Sequence, residues 1–265
     1  MSIEQSVVRH YEHGSLEKAL LAAVTASGKD AGGALAHTDF SAFDEFHIGG
    51  RQATIELAAQ IDLPRGAHVL DIGSGLGGPS RYFAAERGWT IDGIDLTPEY
   101  VEVATVLSQK AGLSNAVGYR VANADHLPFA DEIFDGAYML HVGMNIPDKK
   151  AVFTEVRRVL KRGGLFAIYD CMGENNSDFR YPVPWSSEPA TNRIDTLENY
   201  KAFLQAAGFE VVKERNRRDF ALQAFQQRSG LSVVMGGTAA QKAGNMRAQV
   251  ESGVFAPIEL ISRAG

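Results

Sequence analysis

A short glycine-rich segment is the first place in this sequence where residue types and spacing point to chemistry. Gly73, Gly75 and Gly78 form a G-x-G-x-x-G pattern, and Ser74 lies between the first two glycines. Such glycines allow a tight turn between a strand and a helix, and they let a ligand approach the backbone closely. The pattern alone predicts nucleotide binding in general and does not separate one nucleotide ligand from another.

Asp71, two residues before the first glycine, narrows the choice of ligand. In a dinucleotide-binding protein the pyrophosphate lies across this turn at the helix N-terminus, where an aspartate would repel it. A ligand that carries positive charge at this point is attracted instead. S-Adenosylmethionine carries an ammonium and a sulfonium and has no phosphate, so Asp71 favours this cofactor.

Two more carboxylates lie where that cofactor needs hydrogen-bond acceptors. Asp95 ends a second predicted strand about 20 residues after the glycines, where it can accept both ribose hydroxyls. Asp125 follows a third predicted strand and can accept from the adenine amino group, and we place Leu96, Asn123 and Ala124 in the same cofactor site. Each aspartate alone is also explained as a turn or cap residue. Together they lie at the ends of three successive strands, which favours a ligand site.

The residues after the fourth predicted strand are candidates for contacting the reacting groups. Leu140 is predicted to contact the cofactor, and His141 follows it directly. A histidine titrates near neutral pH, so His141 is predicted to act as a general base or to position the substrate. Its alternative role is to hydrogen-bond loop backbone. Asn145 can direct its carbonyl at an amine acceptor, or it is a plain turn residue before Pro147.

Two further segments carry aromatic and charged residues outside the glycine-rich region. Residues 43–51 hold His47, a candidate for catalysis and substrate contact, and Arg51, a candidate for the carboxylate of the cofactor. The alternative for this segment is a loop that begins a helix, with Arg51 in solvent. Trp185, in a proline-rich stretch, is predicted to form a wall of the acceptor pocket. Its alternative is a local hydrophobic plug.

The elements that must position these residues alternate between strands and helices. Short apolar runs predict strands at residues 68–72, 90–95, 117–122, 134–140, 165–170, 209–213 and 255–262. Longer periodic segments predict helices at residues 79–86, 97–111, 148–160 and 197–207, and a mainly helical region at 219–250 with a break at Gly236 and Gly237. Strand followed by helix, repeated, predicts a parallel sheet that is covered on both faces.

Taken together, these segments resemble the class I S-adenosylmethionine-dependent methyltransferase family. The resemblance rests on residues 69–75 (VLDIGSG), 93–99 (GIDLTPE), 125–129 (DHLPF), 134–135 (FD) and 158–164 (RVLKRGG). More narrowly, the chain is similar to the small-molecule branch that includes sarcosine/dimethylglycine, sterol and quinone-precursor methyltransferases. The resemblance implies a Rossmann-like α/β fold with a seven-stranded sheet, mostly parallel, whose last strand is antiparallel, plus an N-terminal helical lid.

The resemblance also implies a domain organisation and an activity. Residues 1–62 would form the lid, and residues 63–265 the cofactor-binding domain, with insertions at 173–193 and 219–250. Related enzymes place a tyrosine near the N-terminus over the cofactor, which makes Tyr11, in the segment that also holds His10 and His13, a cofactor-binding candidate. The expected reaction transfers a methyl group from S-adenosylmethionine to a nitrogen, oxygen or carbon nucleophile of a small molecule by in-line displacement, with S-adenosylhomocysteine as product.

Composition sets the remaining expectations. The net charge of −6 and the lack of a basic excess argue against a nucleic-acid partner. The single cysteine, Cys171, and the absence of a signal-peptide pattern predict a cytoplasmic protein without a membrane span. The histidines lack ligand spacing, so no metal site is expected, and a homodimer is left open. An NAD(P)-dependent oxidoreductase, or a non-catalytic or non-methylating protein on the same fold, are the alternatives.

Overall fold

The computed structural model describes residues 3–12, 14–174, 179–227 and 238–265. The N-terminal part is helical, as predicted. It comprises α1 (Ile3–Tyr11), α2 (Leu16–Ala26), a short 3-10 turn (His37–Phe40) and α3 (Gly50–Ala58). His13 and the predicted break at Gly236 and Gly237 lie outside the described residues.

The rest of the chain alternates strands and helices up to the fifth strand and then returns as an antiparallel pair. The first part contains β1 (His68–Ile72), α4 (Gly78–Tyr82), β2 (Thr90–Asp95), α5 (Pro98–Lys110), β3 (Val117–Val121), β4 (Phe134–Leu140), α6 (Lys149–Val159) and β5 (Leu160–Gly173). The second part contains β6 (Asp195–Thr196), α7 (Leu197–Ala206), β7 (Phe209–Asn216), α8 (Arg218–Gln227), α9 (Ala239–Glu251) and β8 (Phe255–Ala264).

The strands form one mixed sheet in the order β3-β2-β1-β4-β5-β8-β7, and the two-residue β6 pairs with β5 off this path. Strands β1 to β5 are parallel to one another, and β8 runs antiparallel to both β5 and β7. The predicted α/β sheet with an antiparallel last strand is therefore confirmed. Because successive parallel strands end at the same edge, the residues that follow β1, β2, β3 and β4 lie close together.

Strand β5 begins earlier than its apolar run predicts. Leu160 already pairs with Phe134, and α6 ends at Val159 instead of at the glycine pair. Gly163 adopts φ +75°, inside the extended segment, and the register shifts between Phe134 and Gly136. The glycines thus serve an irregular start of the strand, which a search for helix C-caps misreads.

Apolar side chains bury both faces of the sheet, and they also fix the N-terminal helices to it. Leu16, Leu20 and Val24 of α2 are buried against Val103 and Leu107 of α5. Burying a side chain of this size contributes roughly 1.5–3 kcal/mol relative to exposure. Helix α2 is therefore firmly attached, and Tyr11 of α1 packs against the same cluster. Within the described residues, no helix is long and apolar enough to cross a bilayer.

Candidate active site

A cavity of about 160 Å³ opens at the carboxyl ends of the parallel strands. The predicted cofactor-binding and catalytic residues that line it are Tyr11, His47, Asp71, Gly73, Ser74, Gly75, Asp95, Leu96, Asn123, Ala124, Asp125, Leu140, His141 and Asn145. They come from α1, the loop before α3, and the ends of successive strands. The fold thus brings together side chains that are 134 positions apart in the chain, as the contact between Tyr11 and Asn145 shows.

The glycine turn has two separate steric reasons for its glycines. Gly73 has φ +70°, and a Cβ atom there would lie 2.4 Å from a methyl carbon of Val142. A Cβ atom on Gly78 would lie 2.4 Å from the backbone oxygen of Asp44. The first glycine lets the loop after β4 approach, and the last lets the segment before α3 approach. The contact at Gly78 therefore packs the turn against the N-terminal segment. The sequence motif alone does not reveal this contact.

Asp71 is buried at the inner wall of the cavity and accepts a hydrogen bond from Ser80 Oγ at 2.6 Å. Desolvation raises the pKa of Asp71 to about 7, although the Ser80 hydrogen bond and the Arg81 charge oppose the shift. Arg81 itself is fully buried and forms an ion pair with Asp44 at 2.6 Å. A cation bound beside Asp71 would lower this pKa and offset the burial of the carboxylate. The donor set thus fits a positively charged ligand.

Asp95 holds the glycine turn to the end of β2. Its carboxylate oxygens accept from the backbone amides of Gly75 and Thr97, each at 2.9 Å. Burial raises the pKa of Asp95, and these backbone hydrogen bonds oppose that shift. A carboxylate oxygen accepts more than one hydrogen bond, so Asp95 retains capacity for ligand hydroxyls on the cavity side. Asp125 lies at the exposed margin of the same cavity.

Ser74 adds an observation that the sequence did not supply. Its hydroxyl oxygen is buried and has no hydrogen-bond partner within the part of the chain that the structure describes. A buried hydroxyl without a partner is costly, and the great majority of such groups are satisfied. Since Ser74 lines the cavity, a polar ligand atom is the natural partner, which supports the predicted role of this residue.

His141 is held by backbone groups on two sides. Its ring Nδ1 lies 3.1 Å from the carbonyl oxygen of Tyr169, and its Nε2 accepts from the amide of Ile48 at 3.3 Å. The residue has φ +55°, a strained conformation for a side chain other than glycine. This geometry joins β5 to the segment before α3 at the cavity. It favours the positioning alternative for His141 over the general-base alternative.

His47 is supported by a buried carboxylate that the sequence reading missed. His47 Nε2 lies 3.1 Å from the carbonyl oxygen of Gly50 and 3.2 Å from Thr54 Oγ1. Thr54 in turn donates to Glu45 at 2.7 Å. Burial raises the pKa of Glu45 to about 8, and the neighbouring Asp44 charge acts in the same direction. Burial in this chain of contacts fixes the ring between the cofactor cavity and the helix.

Tyr11 and Asn145 connect the N-terminal helix to the loop after β4. Asn145 donates from Nδ2 to the phenol oxygen of Tyr11 at 3.3 Å, and the Tyr11 ring packs against Tyr100 with centroids 5.9 Å apart. Burial raises the pKa of Tyr11 well above its usual value. Helix α1 therefore covers the cavity through Tyr11, which the family resemblance predicted to lie over the cofactor.

Arg51 is the one predicted cofactor-binding residue that does not line the cavity among the residues described. Its guanidinium lies 3.0 Å from His37 Nδ1 and over the ring of Tyr82, 4.9 Å from the centroid. Another guanidinium nitrogen lies 3.8 Å from Glu45. The first turn of α3 directs this side chain towards Tyr82 of α4 instead of the cavity. The structure thus places Arg51 in a packing contact.

A second cavity of about 200 Å³ adjoins the first. The two share Tyr11, Phe46, His47 and His141 as a common wall. The remaining lining residues are Ile48, Gly49, Met144, Pro184, Trp185, Ala224, Phe225, Ala243, Gly244, Met246 and Arg247. Among the candidates from sequence, Trp185 is the one that lines this cavity alone.

Both alternatives considered for Trp185 describe part of its environment. The indole is 3% exposed and packs edge-on against Phe255, with centroids 5.5 Å apart. Its Nε1 donates to Asn192 at 2.9 Å, which anchors the proline-rich stretch. The same residue lines the second cavity. Residues 175–178 of this stretch lie outside the described part of the chain.

Comparison with known proteins agrees with this geometry. A family described as "Methyltransferase domain" matches residues 70–168. Methyltransferase GfsG of Streptomyces halstedii is 29% identical over 66% of this chain and 64% of its own length. A sterol 24-C-methyltransferase of Gibberella zeae is 34% identical over 59% of this chain and 43% of its own length. This chain thus spans less than two thirds of either curated relative.

The fold is shared with solved structures over the whole chain. Geranyl diphosphate C-methyltransferase from Streptomyces coelicolor, in complex with Mg²⁺, geranyl-S-thiolodiphosphate and S-adenosyl-L-homocysteine, superposes with a TM-score of 0.75. The superposition covers 100% of this chain and 99% of that chain at 15% identity. The methyltransferase resemblance predicted from the sequence is therefore confirmed over residues 70–168, which match a methyltransferase domain, and the α/β fold is shared with a solved methyltransferase.

Proposed function

We propose that this protein is a methyltransferase that moves a methyl group from S-adenosylmethionine to a small-molecule acceptor. The observation that carries the proposal is the set of carboxylates along one cavity, namely Asp71, Asp95 and Asp125. Asp71 and Asp95 lie at the ends of β1 and β2, and Asp125 follows β3. Around the glycine turn, these carboxylates suit a nucleoside that is cationic and free of phosphate. The same acidic wall disfavours the NAD(P)-dependent alternative, because a pyrophosphate would meet a buried carboxylate.

Each residue that would hold the cofactor contributes a different interaction. Asp95 accepts from ribose hydroxyls, Asp125 from the adenine amino group, and the Ser74 hydroxyl gains the partner that it lacks. Asp71 supplies negative charge beneath the glycine turn. S-Adenosylmethionine supplies an already activated methyl group, which an acceptor nitrogen, oxygen or carbon takes by in-line displacement.

His47, His141 and Asn145 are proposed to position the acceptor against the methyl donor. They lie where the two cavities meet or beside that wall, and His141 is braced by backbone on both ring nitrogens. Because the methyl donor is already activated, correct positioning of the acceptor accounts for much of the rate enhancement. Effective molarities of well-oriented reacting groups reach about 10⁵–10⁸ M. A base contributes only where the acceptor must lose a proton, typically about 10²–10⁴-fold.

The N-terminal segment of residues 1–62 is proposed to act as the lid. Glu4, Val7 and Tyr11 of α1 line the first cavity. The single cysteine, Cys171, which has no partner for an internal disulfide, supports a cytoplasmic location, and the acidic composition supports a small molecule as the acceptor.

Calorimetric titration with S-adenosylmethionine and with NADH tests the cofactor. We expect saturable binding of S-adenosylmethionine and none of NADH, because Asp71 repels the pyrophosphate. Tight NADH binding without S-adenosylmethionine binding would reject the proposal. Transfer of a labelled methyl group to a metabolite extract, followed by mass analysis, then separates a methyltransferase from a non-methylating protein on the same fold.

His141→Asn tests the role of the histidine, since asparagine tolerates the positive φ of this position. The positioning role predicts a raised acceptor KM, a smaller change in kcat and an unchanged pH profile. A general base predicts instead a kcat loss of about 10²-fold or more and the disappearance of one limb of the pH profile. Binding of S-adenosylmethionine by the variant, measured in parallel, controls for the fold.

A further inference from the structure

Resting on the proposed function, we propose that the second cavity receives an apolar, uncharged acceptor, and that Gly244 provides part of the space for it. The cavity adjoins the first through Tyr11, Phe46, His47 and His141. An acceptor held there would present its reacting group at this shared wall. The rest of the acceptor would extend towards α8 and α9.

The wall beyond the shared residues is apolar apart from Arg247. Met144 comes from the loop after β4 and Trp185 from the proline-rich stretch, while Phe225 comes from α8 and Met246 from α9. Small-molecule sites are mostly apolar, with a few polar groups that fix orientation. Here the polar groups, Tyr11, His47 and His141, are concentrated at the cofactor end. This polarity gradient orients an acceptor that has one reactive end and an apolar body.

The charges of the two cavities differ in kind. Asp44, Asp71, Asp95, Asp125 and Asp148 line the first cavity. The lining of the second cavity, within the described residues, holds no carboxylate. Arg247, its one arginine, forms an ion pair with Glu251 at 2.7 Å.

A protonated amine in the second cavity would lose its hydration without gaining a counter-ion. Attraction to the face of Trp185 offsets only part of that cost, because cation–π interactions are weaker than the desolvation of an ammonium. A carboxylate acceptor would meet an arginine that is already paired. The cavity therefore selects a neutral acceptor over a cationic amine of the same size.

Gly244 lies within α9 and lines the cavity, and a Cβ atom there would meet no atom of the described residues within 4 Å. The glycine has no positive φ, so neither backbone conformation nor a close approach requires it. A glycine inside a helix is also less favourable than alanine. The consequence of glycine at this position is open volume, which makes Gly244 a determinant of acceptor size.

Three probes that share one ten-carbon chain isolate the effect of charge: decan-1-ol, decylamine and decanoate. Trp185 reports their binding through its fluorescence in a Trp89→Phe variant, since the chain has only two tryptophans and Trp89 stacks on Phe83 in the core. Calorimetry on the unaltered protein provides the same affinities without a substitution. We expect decan-1-ol to bind at least about tenfold more tightly than either charged probe.

Two substitutions test whether decan-1-ol binds in the second cavity. Gly244→Leu and Ala224→Leu, on α9 and α8, should each weaken decan-1-ol binding by about tenfold or more while leaving S-adenosylmethionine binding unchanged. Gln241→Leu, at an exposed position on the face of α9 that points away from Ala243, Gly244 and Arg247, is the control and should change neither. Gly244→Ala, which adds one methyl group, should weaken binding by less than leucine does.

The possible results distinguish failure of this inference from failure of the proposed function. Decylamine binding as tightly as decan-1-ol, no binding of decan-1-ol, or equal affinities in Gly244→Leu, Ala224→Leu and the control would each overturn the inference. Absence of S-adenosylmethionine binding by the unaltered protein would overturn the proposed function instead. The probe affinities still decide the character of the cavity in that case.

Discussion

The two adjoining cavities are built in different ways. The first takes its polar residues from the ends of consecutive strands, so that Asp71, Asp95 and Asp125 follow one another in the order of the chain. The second takes its apolar wall from segments far apart in sequence, such as Met144, Trp185 and Met246. The difference shows that a site at strand ends can be read from sequence, whereas one made of helix faces cannot.

The contrast predicts that a charge change in the first cavity acts on that cavity alone. Asp95→Asn should weaken S-adenosylmethionine binding by about ten- to hundredfold, because hydrogen bonds to a charged group contribute roughly 1.5–3 kcal/mol. Binding of decan-1-ol should be unchanged. Calorimetry with each ligand measures both effects.

Asp92→Asn is the matched control for this prediction. Asp92 lies on the same strand but is paired with His68 and Arg120, with closest distances of 2.7 and 3.2 Å. It does not line the first cavity. An equal loss of S-adenosylmethionine affinity in both variants would mean that the effect is structural and does not come from the cavity.

A second prediction concerns pH. Burial raises the pKa of Asp71 to about 7, with Asp95 adding to the shift and Arg81 opposing it. A cationic ligand favours the ionised form, so S-adenosylmethionine affinity should rise with pH through 7 and level off above it. Below that value the loss should approach about tenfold per pH unit.

Titration calorimetry of S-adenosylmethionine at several pH values measures this dependence, and Asp71→Asn provides the reference. The variant should bind more weakly at pH 8 and should lose this part of the pH dependence. Binding of decan-1-ol, which is neutral, should not follow the titration of Asp71. An unchanged pH profile in the variant would assign the dependence to another group.

The smallest expected effect is that of Arg51→Gln. Because the guanidinium contacts His37 and Tyr82 outside the cavity, S-adenosylmethionine affinity should change by less than about twofold. A modest loss of stability is expected, which thermal unfolding measures. A loss of affinity comparable to that of Asp95→Asn would restore the sequence prediction that Arg51 binds the carboxylate of the cofactor.

The sequence predicted most of the sheet and of the first cavity, because both follow from local patterns. Alternating apolar runs located the strands, and Asp71 and Asp95 stand next to them. Arg51 was placed in the cavity because a segment's composition does not tell which way the first turn of a helix faces. Glu45 was not predicted as a site residue. Its partner Thr54 is a helix residue, and no local sequence pattern indicates the hydrogen bond between the two.

The second cavity could hardly be predicted from the sequence, and the reason is physical. An apolar residue such as Met246 or Phe225 reads as core, and most apolar residues are core. Gly244 reads as an interruption of a helix. Only the packing of α8 and α9 on the loop after β4 shows that these side chains leave a space between them.

The shared wall of Tyr11, Phe46, His47 and His141 makes the two ligands mutually dependent in thermodynamic terms. Whatever factor a bound acceptor applies to cofactor affinity, the cofactor must apply the same factor to the acceptor. Titration of the cofactor in the presence of the acceptor and titration of the acceptor in the presence of the cofactor are then two measurements of one coupling free energy. The occupancy of one cavity can accordingly be followed through the affinity of the other, even while the natural acceptor is unidentified.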